Sequence, residues 1–317
     1  HNVFGATQDV AIDALACNVL QEKERGLANG LMFGGACLGQ AIGGSGVLFL
    51  VPYTGFKATF LLVATCILSV TLLVAFPMLE PRTRQETERV GPAWRVILLD
   101  IRDYVRSALR AMFGSRTSLC GLGFALLPAG GYALSLALTT NIAVEIGLSD
   151  RQIATITLLT TVTSGVCCVL GGFLSDRFGR RKMLALYITG TALPTVWLGF
   201  VLWRHGWISP IPLEMENRPV APAALVRAYW ITSVLFAVCQ GLLYGTRTAL
   251  FMDICDPAVA ATQFTAYMAL MNFVTFYSGV WQAYGIRHWG YPTTLFVDAV
   301  FGLTCLMLLP WIRPRPS

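Results

Sequence analysis

Apolar residues run through this chain in long blocks separated by short polar connectors. A block of about 20 residues is what an α-helix needs to cross a hydrocarbon core of about 30 Å. Candidate spans fall at roughly 1–20, 27–50, 57–79, 118–146, 150–175, 183–203, 227–254, 260–285 and 292–312. The pattern predicts an all-α, polytopic membrane protein with about nine transmembrane helices. Two connectors are long, 80–117 and 204–226. The first divides the chain into a group of spans at 1–79, a cytoplasmic linker at 80–117 and a second group at 118–317.

Charge sharpens this picture. Only 13% of the 317 residues are charged and 55% are hydrophobic, whereas soluble domains carry roughly a quarter charged residues. Too little polar surface remains to cover soluble cores, which excludes a soluble enzyme, a nucleic-acid partner and a disordered chain. The net charge of +6 has to be read by location. Placing connector 21–26 in the cytoplasm puts Lys23, Arg25, the arginines from Arg82 to Arg116, Arg177, Arg180, Arg181, Lys182, Arg313 and Arg315 on one side, which is most of the 23 basic residues. Lys57, Arg151, Arg204, Arg218, Arg227 and Arg287 fall on the other. This asymmetry orients the chain with its basic connectors inside.

Within the linker, Trp94, Ile97, Leu98, Ile101, Val105, Leu109 and Met112 recur at helical spacing over 93–113, with Arg95, Arg102, Arg106 and Arg110 off that face. A helix lying on the lipid bilayer and a solvated linker helix both fit. The nine cysteines lie in or beside apolar runs without a CxxC pair or Cys/His cluster, so they read as packing residues and imply no metal or other cofactor. The chain begins at His1 with no signal peptide before it, and it reads as a piece whose start is missing.

One connector carries a motif. Gly172-Phe-Leu-Ser-Asp-Arg-Phe-Gly-Arg-Arg-Lys182 joins two spans on the basic side. Gly171 and Gly172 suit close helix approach, Asp176 can cap or salt-bridge an adjacent helix end, and Gly179 suits a tight turn. The stretch resembles the G-x-x-x-D-R-x-G-R-R signature of the major facilitator superfamily. A second stretch, Gly5-Ala-Thr-Gln-Asp-Val-Ala-Ile-Asp-Ala14 followed by Val19-Leu-Gln-Glu-Lys-Glu-Arg-Gly26, is similar to the AmpG-type muropeptide permeases and related acetyl-CoA transporters. Ser135-Leu-Ala-Leu-Thr-Thr140 and Ala261-Thr-Gln-Phe264 extend that likeness. The resemblance implies a fold of two six-helix halves, of which this chain lacks the first three helices. It also implies that Gly172, Asp176, Arg177, Gly179, Arg180 and Arg181 form a conformational latch rather than a substrate site.

Candidate binding residues follow. Asp9 and Asp13 are four apart and share one helix face, with Gln8 beside them. A carboxylate inside a span is costly unless paired, hydrated or protonated, so the pair is expected to face a cavity and to bind protons or substrate. A structural pair is the alternative. Arg247 is the basic residue deepest in a span, and aligning Gly5 with Gly241 places it opposite Ala11, between the two acids. It is expected to bind an anionic substrate group or to act as counter-charge to Asp9 and Asp13, with snorkelling to the cytoplasmic surface as the rival. Tyr132, Thr139, Thr140, Asn141, Gln240, Tyr244, Asn272 and Gln282 can bond a sugar or amide, or serve as interhelical glue. Glu145 and Asp298 stay open. The glycines of Gly34–Gly46 read as a small-residue packing face.

The reading is a secondary active transporter of a small polar or anionic solute, proton-coupled and working by alternating access in a bacterial inner membrane. The resemblance suggests a sugar-peptide or acyl-nucleotide conjugate as that small-molecule substrate. The alternatives are a non-transporting remnant or a membrane-embedded acyl or phosphoryl transferase. For the transferase, only His1, His205 and His288 are available as histidines, all near span ends, without a nucleophile–base spacing.

Overall fold

The computed structural model describes residues 2–21, 23–77, 93–132, 134, 137–211 and 219–313. The described residues form ten α-helices: α1 (Asn2–Val19), α2 (Arg25–Gln40), α3 (Val47–Val70), α4 (Ala93–Phe113), α5 (Arg116–Leu126), α6 (Ala137–Glu145), α7 (Asp150–Phe178), α8 (Arg180–Arg204), α9 (Ala223–Ile254) and α10 (Ala260–Leu303). No strand occurs among them. Among the described residues, five stretches are long and apolar enough to cross a membrane: Leu50–Ala75, Asp150–Phe178, Arg180–Arg204, Ala223–Ile254 and Pro257–Trp311.

Helix starts follow local chemistry. The Ser149 hydroxyl accepts from the Gln152 amide while the Gln152 side chain accepts from the Ser149 amide, a reciprocal cap that starts α7. Ser115 caps α5 through the Ser118 amide at 3.0 Å. Between α7 and α8 the chain turns on Gly179 at φ 94°, a left-handed conformation that costs glycine nothing.

Two expected boundaries fall at glycine breaks and one expected span is divided. α2 passes through π-helical turns at Ala41–Gly46 into α3, whose backbone leaves helical geometry at Gly55 (φ 76°, ψ 158°), between the expected spans 27–50 and 57–79. The backbone of α10 likewise leaves helical geometry at Gly290 (φ 78°, ψ 175°), before Pro292 and between the expected spans 260–285 and 292–312. The kink displaces the Tyr291 N–H, which donates instead to the Ile208 carbonyl at 2.7 Å. The span 118–146 is broken into α5 and α6. Pro128 disfavours a helical Leu127, and Gly130 turns the chain at φ 79°. Pro128-Ala-Gly-Gly131 carries no charged residue, so the apolar block alone reads straight through. Residues 78–92, which carry Arg82, Arg84 and Arg89 of the expected linker, lie outside the described residues, as do His1, Ser135 and Arg315.

The bundle is organised around α7, which packs against both α2 and α9, with α8 and α10 behind α9. The crossing of α2 on α7 is a seam of small residues. A Cβ on Gly30 would lie 2.5 Å from the Cys168 carbonyl oxygen, and one on Gly34 would lie 2.9 Å from that of Gly165; Gly26 sits against Gly172. Gly35, Gly39 and Gly43 have open space instead, so the packing face is Gly26–Gly30–Gly34 rather than the run Gly34–Gly46. Two buried clusters fill the bundle. One, around Phe124, Leu250, Phe251, Phe264 and Tyr267, lies toward the basic connectors. The other, around Ile142, Leu198, Leu202, Leu225 and Leu295, lies toward the opposite end. α1 leans mainly on α10, and α3 leaves Phe56, Phe60 and Leu73 uncovered.

Candidate functional site

A cavity of about 280 Å³ opens among α2, α6, α7 and α9. From α7 it takes Thr157, Thr160, Thr161 and Ser164, spaced i, i+3, i+4, i+7 along one helix face. α9 contributes Ser233, Phe236, Ala237 and Gln240 at the same spacing, together with Tyr229. α2 adds Cys37 and Gln40, and α6 adds Thr139 and Thr140. None of these lining residues carries a charge. The Gln240 Oε1 atom is buried without a hydrogen-bond partner, and a carbonyl oxygen left so has unused acceptor capacity. Hydroxyls and amides set in a largely apolar wall that includes Leu134, Ile153, Ile156 and Phe236 are suited to neutral hydroxyl- or amide-bearing groups.

The opposite ends of the same helices are charged. The Asp176 carboxylate, at the end of α7, accepts from the backbone N–H of Gly26 at 3.1 Å and of Leu27 at 2.8 Å. It thereby satisfies orphan amides in the first turn of α2 and places negative charge at the positive end of that helix dipole. Arg180 donates to Asp176 at 2.9 Å, across the Gly179 turn, and also to Asp253 of α9. Arg25 of α2 donates to Asp253 at 3.2 Å and to the Met252 carbonyl at 3.3 Å. The Asp253 side chain is 2% exposed, and it holds one guanidinium from each side of the crossing. The four side chains tie α2 to α7, α8 and α9 at the basic end.

A third polar centre holds the α5–α6 break. Arg247 is 1% exposed and donates to the carbonyls of Phe124 at 3.0 Å and Leu127 at 3.2 Å, and to the Tyr132 hydroxyl at 3.2 Å. Its guanidinium lies over the rings of Phe124 and Phe251. Tyr277 donates to the Leu126 carbonyl at 2.7 Å. A cation on the last carbonyls of a half-helix complements the negative end of its dipole. On the far side of the break, Asp298 accepts from the Tyr132 N–H at 2.9 Å and from Gln282 at 2.8 Å. The unwound backbone thus meets a cation where it offers carbonyls and an anion where it offers an amide. That is how irregular chain is tolerated at membrane depth.

The expected residues separate accordingly. Thr139 and Gln240 line the cavity, and the Thr139 hydroxyl donates to the Leu134 carbonyl at 2.5 Å. Asn141 is exposed and lies off it. Tyr244 is half-buried edge-on to Phe33, also outside the lining. Gln8 and Asp9 are exposed, whereas Asp13 is half-buried on the face of α1 that carries Ala16, Cys17 and Leu20 into the core. The expected pairing of Arg247 with Asp9 and Asp13 does not occur: no carboxylate of the described residues lies within ion-pair distance of it. Nor does it snorkel. The carbonyls freed by the broken helix claim it, and an unbroken span would not have exposed them. In the basic connector Arg177 and Arg181 are exposed, outside the network that Asp176 and Arg180 build.

Asp253 and the hydroxyl stripe of α7 carry no signal used in the sequence analysis, while Arg25 is counted there only as a basic residue and Asp298 is left open. The i, i+3, i+4, i+7 spacing of Thr157, Thr160, Thr161 and Ser164 is a signal that could have found the cavity.

Comparisons with known proteins bear on the whole chain. The family model of the Major Facilitator Superfamily matches residues 2–127 and 120–317. An uncharacterized protein of Haemophilus influenzae is 22% identical over 98% of this chain and 69% of its own length. The anhydromuropeptide permease of Escherichia coli K12 is 24% identical over 96% of this chain, which spans 57% of that permease.

Proposed function

From the premise that the chain belongs to the Major Facilitator Superfamily, as an integral multi-pass inner-membrane transporter and not an enzyme, we propose that it moves a neutral-headed polar solute, coupled to protons, by alternating access. The observation that carries the reading is the cavity lined by Thr157, Thr160, Thr161, Ser164, Ser233 and Gln240, set apart from the basic end, where Arg25, Asp176, Arg180 and Asp253 pair across the helices. In alternating access the two helix groups rock about a site between them. The α2–α7 crossing, with its small-residue seam, is suited to be the fulcrum.

The substrate class we infer is a sugar-peptide conjugate, in keeping with the name of the Escherichia coli relative and with a hydroxyl- and amide-rich lining. An acyl-nucleotide would bring phosphate charge to a lining without a cation, so it is the less suited of the two conjugates. Asp13 is the acid we assign to proton coupling, because it stands on the inward face of α1 with Asp9 one turn away. Asp13→Asn is expected to abolish uptake driven by a pH gradient while the protein stays in the membrane; unchanged uptake removes the role. The reading as a whole is tested by uptake into vesicles of labelled anhydromuropeptides and acetyl-CoA under an imposed pH gradient. Accumulation of the sugar-peptide alone is expected, and accumulation of neither contradicts transport by this chain.

A further inference from the structure

Helix α4 has three faces, and only one of them meets the rest of the protein. At about 100° per residue, Tyr104, Ala108 and Ala111 fall on one flank. The Tyr104 hydroxyl lies 2.5 Å from the Thr262 hydroxyl, and Gln263 donates to the Ala111 carbonyl at 3.2 Å. Both partners stand in the first turn of α10, so α4 is fixed to the second helix group beside the turn that follows Asp253. The apolar stripe of Trp94, Ile97, Leu98, Ile101, Val105 and Leu109 borders this attachment, centred roughly a quarter turn round the helix from it, and is 49–60% exposed. Arg95, Arg102, Arg106 and Arg110 occupy the remaining flank and are all exposed. The stripe is uncovered although α4 itself is packed.

We propose that α4 is an anchor for anionic lipid: it lies in the cytoplasmic interface with the stripe among acyl chains and the arginine flank against phosphate headgroups. The bilayer is the occupant because the neighbouring helices already cross it at this end, and because its negative headgroups complement the arginines. Four arginines face outward against Asp100 and Asp103, and Asp103 is engaged by Arg102 at 3.0 Å. A second copy of α4 would bring arginine to arginine. An interfacial helix of this kind sinks its apolar face about 5–10 Å below the headgroups. Since α4 is attached to α10 and not to α2 or α7, the leaflet would hold the second helix group at fixed depth while the first moves against it. The inference stands whether or not the solute assignment is correct.

The test uses the full chain in nanodiscs of phosphatidylcholine alone or with phosphatidylglycerol. Backbone hydrogen exchange over 93–113 is expected to slow at least tenfold with phosphatidylglycerol, while exchange in α7 stays constant. Brominated acyl chains are expected to quench the fluorescence that Trp94→Phe removes. Replacing Arg102, Arg106 and Arg110 by glutamine, all exposed positions, is expected to weaken the phosphatidylglycerol effect roughly fivefold per arginine. Equal exchange in both lipids, absent quenching of Trp94, or protection that depends on two copies sharing a disc would each overturn the proposal.

Discussion

The two ends of α7 and α9 are built from opposite chemistry on continuous helices. Toward the basic end, α7 carries Asp176 and α9 carries Asp253, both bound to guanidiniums and nearly closed to solvent. Toward the other end the same helices present Thr157, Thr160, Thr161, Ser233 and Gln240 to open space. Charged partners make few, strong and mutually exclusive contacts, which suits a closure that is either made or broken. Hydroxyls and amides make weaker bonds in many directions, which suits a chamber that must release what it binds. The comparison teaches that locking and holding are assigned to different ends of single helices, so a small rocking of α2 on α7 would act on both.

The largest expected effect comes from the charged end. Asp253→Asn removes the carboxylate that Arg25 and Arg180 share, leaving Arg180 only Asp176 and Arg25 only the Met252 carbonyl, and breaking a buried pair costs up to about 3–5 kcal/mol. A lowered unfolding midpoint in detergent is the expected result, and an unchanged midpoint would mean that the network does not hold the closed end. Next comes the break between α5 and α6. Arg247→Met leaves the Phe124 and Leu127 carbonyls without their donor, at about 1–3 kcal/mol for each buried group. The same thermal measurement checks it, and Arg247→Lys should recover only part, since an ammonium lacks the second nitrogen that donates to the Tyr132 hydroxyl. The smallest change in stability is expected in the cavity. Thr161→Val should move the midpoint by no more than about 0.5 kcal/mol, yet weaken uptake of a sugar-bearing solute severalfold. A variant that transports normally would place the solute elsewhere.

How much of this was legible in the sequence differs between the two ends. The Gly172–Lys182 motif marked the closed end because glycine, acid and arginine at fixed offsets have few other uses. Its partners lie far away in sequence: Asp253 carries no motif, and Arg25 sits at the end of the Val19–Gly26 stretch with nothing there to mark its partner. The apolar blocks marked the spans, and α4 spans the stretch 93–113 read from its periodicity. The break at Pro128–Gly131 was hidden because a proline and two glycines bring no charge into the apolar block. That break then removed Arg247 from the cavity reading. The hydroxyl stripe on α7 was visible as spacing but not as function. A threonine in an apolar helix also bonds its own preceding turn, as Thr160 does to the Ile156 carbonyl at 2.8 Å, so its presence alone does not announce a cavity.

Cys37 gives the most direct measurement, since it lines the cavity on the α2 side. A membrane-impermeant thiol reagent is applied to sealed vesicles of either orientation, and the difference between the chain and Cys37→Ser reports that thiol alone. Modification of Cys37 from the side opposite the basic connectors, slowed by bound sugar-peptide, is the predicted result. Modification from the basic side, or no modification from either, would contradict a chamber that is closed by the Arg25–Asp253–Arg180–Asp176 network and open beyond it.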